Sequence, residues 1–193
     1  MAVDILELAH QCKPTFVVDW VYSLNFIELA INGPVNVILD VDNTVVAANE
    51  DEVPPHIIQH INWHKERGYI REICLLSNIG VRSAKRERRV DDIATAFGGV
   101  PYITACLRPK FWPRSPKYPQ LKPDPEGFLA AMVEMHSTFD NTVVVDDQLL
   151  TGILGGNRLG LRTVWIRNRL GPDNPLTFFK RQKEKRIIEI LRL

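Results

Sequence analysis

The chain is short of most features that would specialise it at once. Three cysteines stand among 193 residues, Cys12, Cys74 and Cys106, odd in number and without a Cys-x-x-Cys pair. That argues against a disulfide framework and a zinc site, and favours reduced thiols in a cytosol-like compartment. Charge of one sign is also lacking, because 24 Lys and Arg against 23 Asp and Glu leave a net charge of +1. Nothing global pulls the protein toward nucleic acid, and no nucleic-acid partner is expected. No uninterrupted apolar run approaches the roughly 18 residues of a membrane span, so no transmembrane segment is expected. The first ten residues carry acids instead of a basic leader region, so no signal peptide is expected either. No internal repeat is visible. These absences suggest a cytoplasmic protein, at most peripheral on the inner face of a membrane.

What is present is an alternation of strand-like and helix-like stretches. A chain of this length can form one domain with extensions, burying about 70% of the unfolded chain's surface. The apolar run from Val35 ends in Asp40 and Asp42, followed by Asn43 and Thr44. Further strands are expected over 70–76, 100–104, 142–145 and 163–166. Helices are expected over 3–11, 16–30, 57–68, 81–97, 124–136 and 173–193, with helix or turn over 148–158. Strands alternating with helices predict a doubly wound parallel sheet with helices on both faces. The stretch 108–120 differs in kind. Pro109, Pro113, Pro116 and Pro119 exclude a helix or central strand, leaving a long loop rich in basic and aromatic residues.

In such sheets ligands sit beyond the carboxyl ends of the strands. Four such ends deliver Asp40, Asp42 and Thr44; Ser77 and Asn78; Lys122 just before a helix; and Asp146 with Asp147. Asp40 and Asp42, two residues apart, are expected on one face of the strand. Two such carboxylates repel, and a cation or a shared proton relieves them. Each residue type has a task in phosphoryl transfer. An aspartate can attack phosphorus and form an acyl phosphate. A second carboxyl can move the proton to the leaving oxygen and then take one from water. Hydroxyl and backbone N–H groups hold phosphate oxygens, and a lysine offsets their charge. Late carboxylates complete a site suited to Mg²⁺.

At this point the motifs resemble those of the haloacid dehalogenase (HAD) phosphatases, in the right order. They are Asp40-Val-Asp-Asn-Thr44, Leu76-Ser77-Asn78, Lys122-Pro123-Asp-Pro and Val145-Asp-Asp-Gln-Leu-Leu-Thr151. The first motif, the last one and the following Gly155-Gly-Asn-Arg-Leu-Gly160 are similar to YqeG-type, class III members. The resemblance spans roughly 14–170 and implies a Rossmann-like HAD fold without a large cap domain. It implies Asp40 as nucleophile and Asp42 as general acid/base. Thr44, Ser77, Asn78 and Lys122 would serve the phosphate, with Lys122 also steadying the intermediate. Asp40, Asp42 through its backbone carbonyl, Asp146 and Asp147 would surround Mg²⁺. YqeG-type members usually show Gly-Asp-Gln-Leu-Leu-Thr-Asp in the last motif. Here the first position is Asp146 and the final one Gly152, which looks like a swap of acid position. The resemblance also implies phosphatidylglycerophosphate as substrate, with an anionic membrane surface as partner.

Plainer readings stand beside these. An Asp-x-Asp after a strand is usually a solvated turn, and only the ordered set of motifs argues otherwise. Ser77-Asn78 could cap a helix, and Lys110 and Lys117 compete with Lys122. The histidines read as surface or helix residues, and the 155–160 stretch as tight packing. The organisation expected is a helical segment over 1–33, a phosphatase domain over 34–170 and a basic amphipathic helix over 171–193. That last helix either packs on the domain or lies on anionic lipid. The competing functions are a phosphatase of a soluble or protein-bound phosphate, a phosphorylatable receiver and a noncatalytic binding module. The order of the acids argues against a receiver, and retention of Asp40 and Asp42 against a degenerate module.

Overall fold

The computed structural model describes residues 4–48, 50–107, 119–173 and 178–193. The loop expected over 108–120 therefore lies outside the described residues, except for its last two. Six strands form one all-parallel sheet: β1 (Phe16–Val18), β2 (Val35–Leu39), β3 (Ile70–Gly80), β4 (Tyr102–Cys106), β5 (Thr142–Asp146) and β6 (Arg162–Ile166). Their spatial order is β1-β6-β5-β2-β3-β4. From β2 the chain winds outward through β3 and β4, then returns to the other side of β2 as β5. The reversal opens a crevice at the carboxyl ends of β2 and β5, where folds of this kind bind ligands.

Helices cover both faces, as parallel sheets require. They are α1 (Ile5–Gln11), α2 (Phe26–Leu29), α3 (Pro55–Glu66), α4 (Ala84–Ala96), α5 (Pro125–Glu134), α6 (Leu154–Arg158) and α7 (Phe178–Leu191). Successive strand residues point to opposite faces. Val37, Leu39, Leu75 and Val145 pack with Ile57 and Ile61 of α3 and Ile93 of α4. Ile38, Cys74, Leu76 and Val144 pack instead with Phe128, Ala131 and Met132 of α5. Near the β1 edge, Trp165 packs with Leu8 and Ala9 of α1 and Ile187 of α7. Among the described residues no additional domain stands over the end of β2, in keeping with the absence of a large cap.

Two local expectations are corrected. The stretch 16–30, expected as helix, holds the edge strand β1, a 3₁₀ turn over Val21–Ser23 and the short α2. Its mixed periodicity reflects several elements, and the Phe16-Val-Val triplet, one aromatic and two β-branched residues, finds a partner in β6. Ser77 and Asn78 cap no helix; β3 continues through them to Gly80, and Ser83 caps α4 by accepting from the Arg86 N–H. His64 is a helix residue, as expected, and is buried on α3 beside Phe26.

The basic C-terminal helix packs on the domain. Its apolar stripe, with Ile187 fully buried, lies in the cluster of Leu8, Leu149, Ile153 and Trp165. That face is therefore unavailable to a lipid surface. The 155–160 stretch is tight packing: a Cβ on Gly155 would stand 2.4 Å from the Phe128 ring, so α6 lies directly on α5. Phe128→Ala is expected to cost about 3–5 kcal/mol of unfolding free energy, measured by urea denaturation.

Candidate active site

The chain leaves β2 at Leu39 and turns sharply, with the Val41 carbonyl accepting from the N–H groups of Thr44, Val45 and Val46. Asn43 carries the turn at φ 64°, a left-handed conformation that Asn tolerates better than most residues. Its side chain ties the turn down: Oδ1 accepts from the N–H groups of Ala48 and Gly171, and Nδ2 donates to Asp173 Oδ1 at 3.4 Å. Because the strand has ended, strict alternation no longer sets the two acids. Asp40 is buried, while Asp42 is partly exposed and paired through Oδ1 with Arg89 Nη2 of α4 at 2.9 Å. Both line one open cleft of about 280 Å³, with Ser77, Asn78, Lys122, Thr151, Arg86, Arg89 and Lys180.

Lys122 sits at the centre. Its buried ammonium donates to Asp40 Oδ1 at 2.5 Å, Asp146 Oδ2 at 2.6 Å and the Leu76 carbonyl at 3.1 Å. An ammonium has three protons, and all three are used. The other oxygen of Asp40 accepts from Thr44 Oγ1 at 3.1 Å. The side chain of Asn78 pins the lysine's backbone in both directions, accepting from the Lys122 N–H at 2.9 Å and donating to its carbonyl at 3.5 Å. The competing Lys110 and Lys117 lie outside the described residues.

Asp40, Asp146 and Asp147 each offer a carboxylate oxygen within 4.8 Å of the others, and all three are buried. Of the four residues expected around a metal, these three have their carboxylates together; the Asp42 carboxylate is turned to Arg89, and its expected metal contact was the backbone carbonyl. Burial, and next the Asp146 carboxylate, push Asp40 up to about 7 against the pull of Lys122. Burial raises Asp147 as well, against the nearby Arg181. Desolvation alone would lower Lys122, but Asp146 and Asp40 outweigh it and hold the lysine charged. With all three ionised, Lys122 and Arg181 leave at least one negative charge in excess, since Arg181 is shared with Asp173 and Glu184. Asp147 Oδ1 is buried without a hydrogen-bond partner. An all-oxygen donor set with a free carboxylate oxygen and surplus negative charge fits a hard divalent cation.

The expected exchange of acid position has a steric counterpart. A Cβ on Gly152 would stand 2.0 Å from Asp146 Oδ2. Asp146 thus fills the space that a side chain at position 152 would need, and the π-helical turn Leu149–Ile153 folds around it. Asn43, Arg89, Asp173 and Arg181 were not among the expected site residues. Asn43 was legible, lying inside the first motif. Arg181 stood in a run of cations whose faces sequence alone could not sort.

With this geometry in hand, the comparisons with known proteins are consistent. The family described as mitochondrial PGP phosphatase matches residues 2–171. The probable phosphatase YqeG of Bacillus subtilis (strain 168) is 31% identical over 156 residues, covering 81% of this chain and 77% of that protein. A mitochondrial phosphatidylglycerophosphatase of Saccharomyces cerevisiae is 23% identical over 176 residues, covering 89% and 86%. Two solved structures of uncharacterized proteins share the fold. One, from Listeria monocytogenes serotype 4b, has a TM-score of 0.50 at 20% identity, over 73% of this chain and 84% of that one. The other, from Corynebacterium glutamicum, has a TM-score of 0.51 at 19% identity, over 83% and 97%.

Two outcomes follow from the packing and charge of the site. Gly152→Ala is expected to lose about 1–3 kcal/mol of stability by overpacking, read by urea unfolding, and to lower turnover because Asp146 cannot yield without releasing Lys122. The raised Asp40 means that the metal-free fold keeps a proton that the unfolded chain has released, so stability falls as pH rises from about 4 to about 7. Asp40→Asn removes that penalty. In chelator it should melt a few degrees above the parent at about pH 8, the gap closing at about pH 3.5; calorimetry checks this.

Proposed function

This chain belongs to the mitochondrial PGP phosphatase family, and on that premise we propose that it is a Mg²⁺-dependent phosphomonoesterase working through an aspartyl-phosphate on Asp40. Phosphatase chemistry itself follows from the family. The observation that carries the finer reading is the triple contact of Lys122 with Asp40, Asp146 and the Leu76 carbonyl. It fixes one carboxylate at the mouth of the central strand, with a cation where phosphoryl charge would arrive.

In the proposed sequence a carboxylate oxygen of Asp40 attacks phosphorus in line with the ester oxygen. The P–O bond to the alcohol breaks as Asp42 delivers its proton to the leaving oxygen. Water then attacks the acyl phosphate, giving a proton back to Asp42 and releasing inorganic phosphate from the restored Asp40. Ser77 and the backbone N–H of Asn78 hold the phosphoryl oxygens, and Lys122, whose protons go to Asp40, Asp146 and the Leu76 carbonyl, offsets their charge. Thr44, bonded to Asp40 Oδ2, keeps the carboxylate in its rotamer, and Arg89 orients Asp42 until the proton is needed. Asp40, Asp146 and Asp147 would hold the Mg²⁺, whose charge offsets the crowded acids and the phosphoryl oxygens.

The proposed substrate is phosphatidylglycerophosphate, with phosphatidylglycerol as product. The family description and the name of the yeast relative support it. So does the cleft: the substrate carries a phosphodiester beside its phosphomonoester, and Arg86, Arg89 and Lys180 line the opening. No helix among the described residues is long and apolar enough to cross a membrane, so the lipid would be met at the surface. Trp20 and the half-exposed Tyr22, stacked on each other, follow β1 at the same end of the sheet as Asp40. Aromatic rings with a polar edge suit the interfacial zone.

Purified protein with Mg²⁺ is expected to release phosphate from phosphatidylglycerophosphate in mixed micelles faster than from soluble sugar or nucleotide phosphates. Asp40→Asn should lower that rate by about 10⁴-fold or more. Preference for a soluble ester would assign the same chemistry to another substrate, and activity surviving Asp40→Asn would remove the nucleophile assignment.

A further inference from the structure

The family match ends at residue 171, yet a side chain from beyond it reaches the acid cluster. Arg181, in the first turns of α7, donates from Nη2 to Asp147 Oδ2 and from Nη1 to the Asp147 backbone carbonyl at 2.9 Å. One guanidinium thus grips both the carboxylate and the main chain of the same residue. Its other edges are held by two more acids. Nε donates to Asp173 at 3.2 Å, Nη2 also to Asp173 Oδ1 at 3.1 Å, and Nη1 to Glu184 Oε2 at 2.8 Å. Glu184 is buried and accepts from the Leu150 N–H with its second oxygen, at 2.9 Å. Asp173 in turn reaches Asn43 in the turn beside Asp42. All five guanidinium protons are committed, and Arg181 does not line the cleft. It has nothing left to offer a substrate.

The consequence falls on Asp147. Its Oδ2 and its carbonyl are fixed by Arg181, its carbonyl also accepts from the Trp165 indole N–H at 3.0 Å, and its Oδ1 alone has no partner. A carboxylate free to rotate could turn either oxygen to the cluster; this one cannot. We infer that Arg181 of α7 is a positioning residue of the metal site, clamping Asp147 so that its unpartnered oxygen is presented with Asp40 and Asp146 to a divalent cation. The inference rests on the reading of those three acids as a metal site. It makes the C-terminal helix a component of the reaction centre, joined to the first-motif turn by the chain Asn43–Asp173–Arg181–Asp147. Outer groups that orient metal ligands typically govern metal affinity by 10–100-fold (about the same for activity).

The test uses the full chain and Mn²⁺ as a spectroscopic probe, with free Mn²⁺ read by electron paramagnetic resonance. Arg181→Gln removes the clamp. Arg181→Lys keeps the charge but cannot span the carboxylate, the carbonyl and the two outer acids together. Both are expected to weaken Mn²⁺ binding by about 10–100-fold. The Mg²⁺ concentration for half-maximal turnover should rise by the same factor, while KM for the ester at saturating Mg²⁺ stays unchanged. If Arg181 only fastens the helix, the urea midpoint falls and the folded variants bind Mn²⁺ as tightly as the parent, which overturns the inference. Tighter binding overturns it too, since the arginine would then act as a competing counter-charge. Should Arg181→Gln not fold, Arg181→Lys decides alone. Failure of the parent protein itself to bind Mn²⁺ would instead overturn the metal-site reading beneath it.

Discussion

Three like-charged carboxylates buried within reach of one another set the terms for the rest of this molecule. Left unpaired, each would be costly to desolvate, and together they repel. The fold answers with an ammonium from one side, Lys122 between Asp40 and Asp146, and a guanidinium from the other, Arg181 on Asp147. Two cations against three acids leave the cluster under-neutralised. Such an arrangement is a poor way to gain stability and a good way to hold a divalent cation and a phosphoryl group. The rest of the chain makes the arrangement tolerable. The switch point between β2 and β5 gathers the acids, and the clamp by Asn78 keeps the lysine in place. Gly152 leaves room for Asp146.

Much of this was readable before any coordinates. The apolar run ending in Asp40 marked the central strand, because a strand buried on both faces has no polar positions to spare. The ordered motifs brought together Asp40, Thr44, Ser77, Asn78, Lys122, Asp146 and Asp147 from four strand ends, and the structure places these residues around one site. What stayed hidden was of two kinds. Short elements such as β1 carry too few residues for periodicity to show, and Phe16–Val18 is a strand only because β6 offers it an edge. Long-range ion pairs leave no local trace either. Arg181 and Asp147 lie 34 residues apart, and nothing in the run of cations after Phe178 distinguishes the one that turns inward from those facing solvent. The separation of Asp42 from the acid cluster was likewise hidden, since it depends on the left-handed turn at Asn43 and on Arg89 from a different helix.

The helix α7 also changes how the chain is divided in function. A basic amphipathic tail suggested an attachment device, but its apolar stripe is spent on α1 and the turn after β5. Its inward edge supplies Arg181 and Glu184 to the fourth motif. Of the exposed lysines on its outer edge, Lys180 lines the cleft. One short helix thus reaches both the acid cluster, through Arg181, and the cleft, through Lys180, and it is joined to the turn after β2 by polar contacts through Asp173 and Asn43.

In the proposed reaction Asp40 carries the phosphoryl group between two half-reactions. Turnover of a phosphomonoester quenched in acid, followed by borohydride reduction and peptide mass spectrometry, tests it most directly. The acyl phosphate is expected to be trapped, and after reduction identified, at Asp40. Asp42→Asn is expected to raise the trapped fraction, because water is no longer relieved of its proton. A phosphoryl group found on another residue would contradict the account. So would steady turnover in which the quenched protein never carries phosphate.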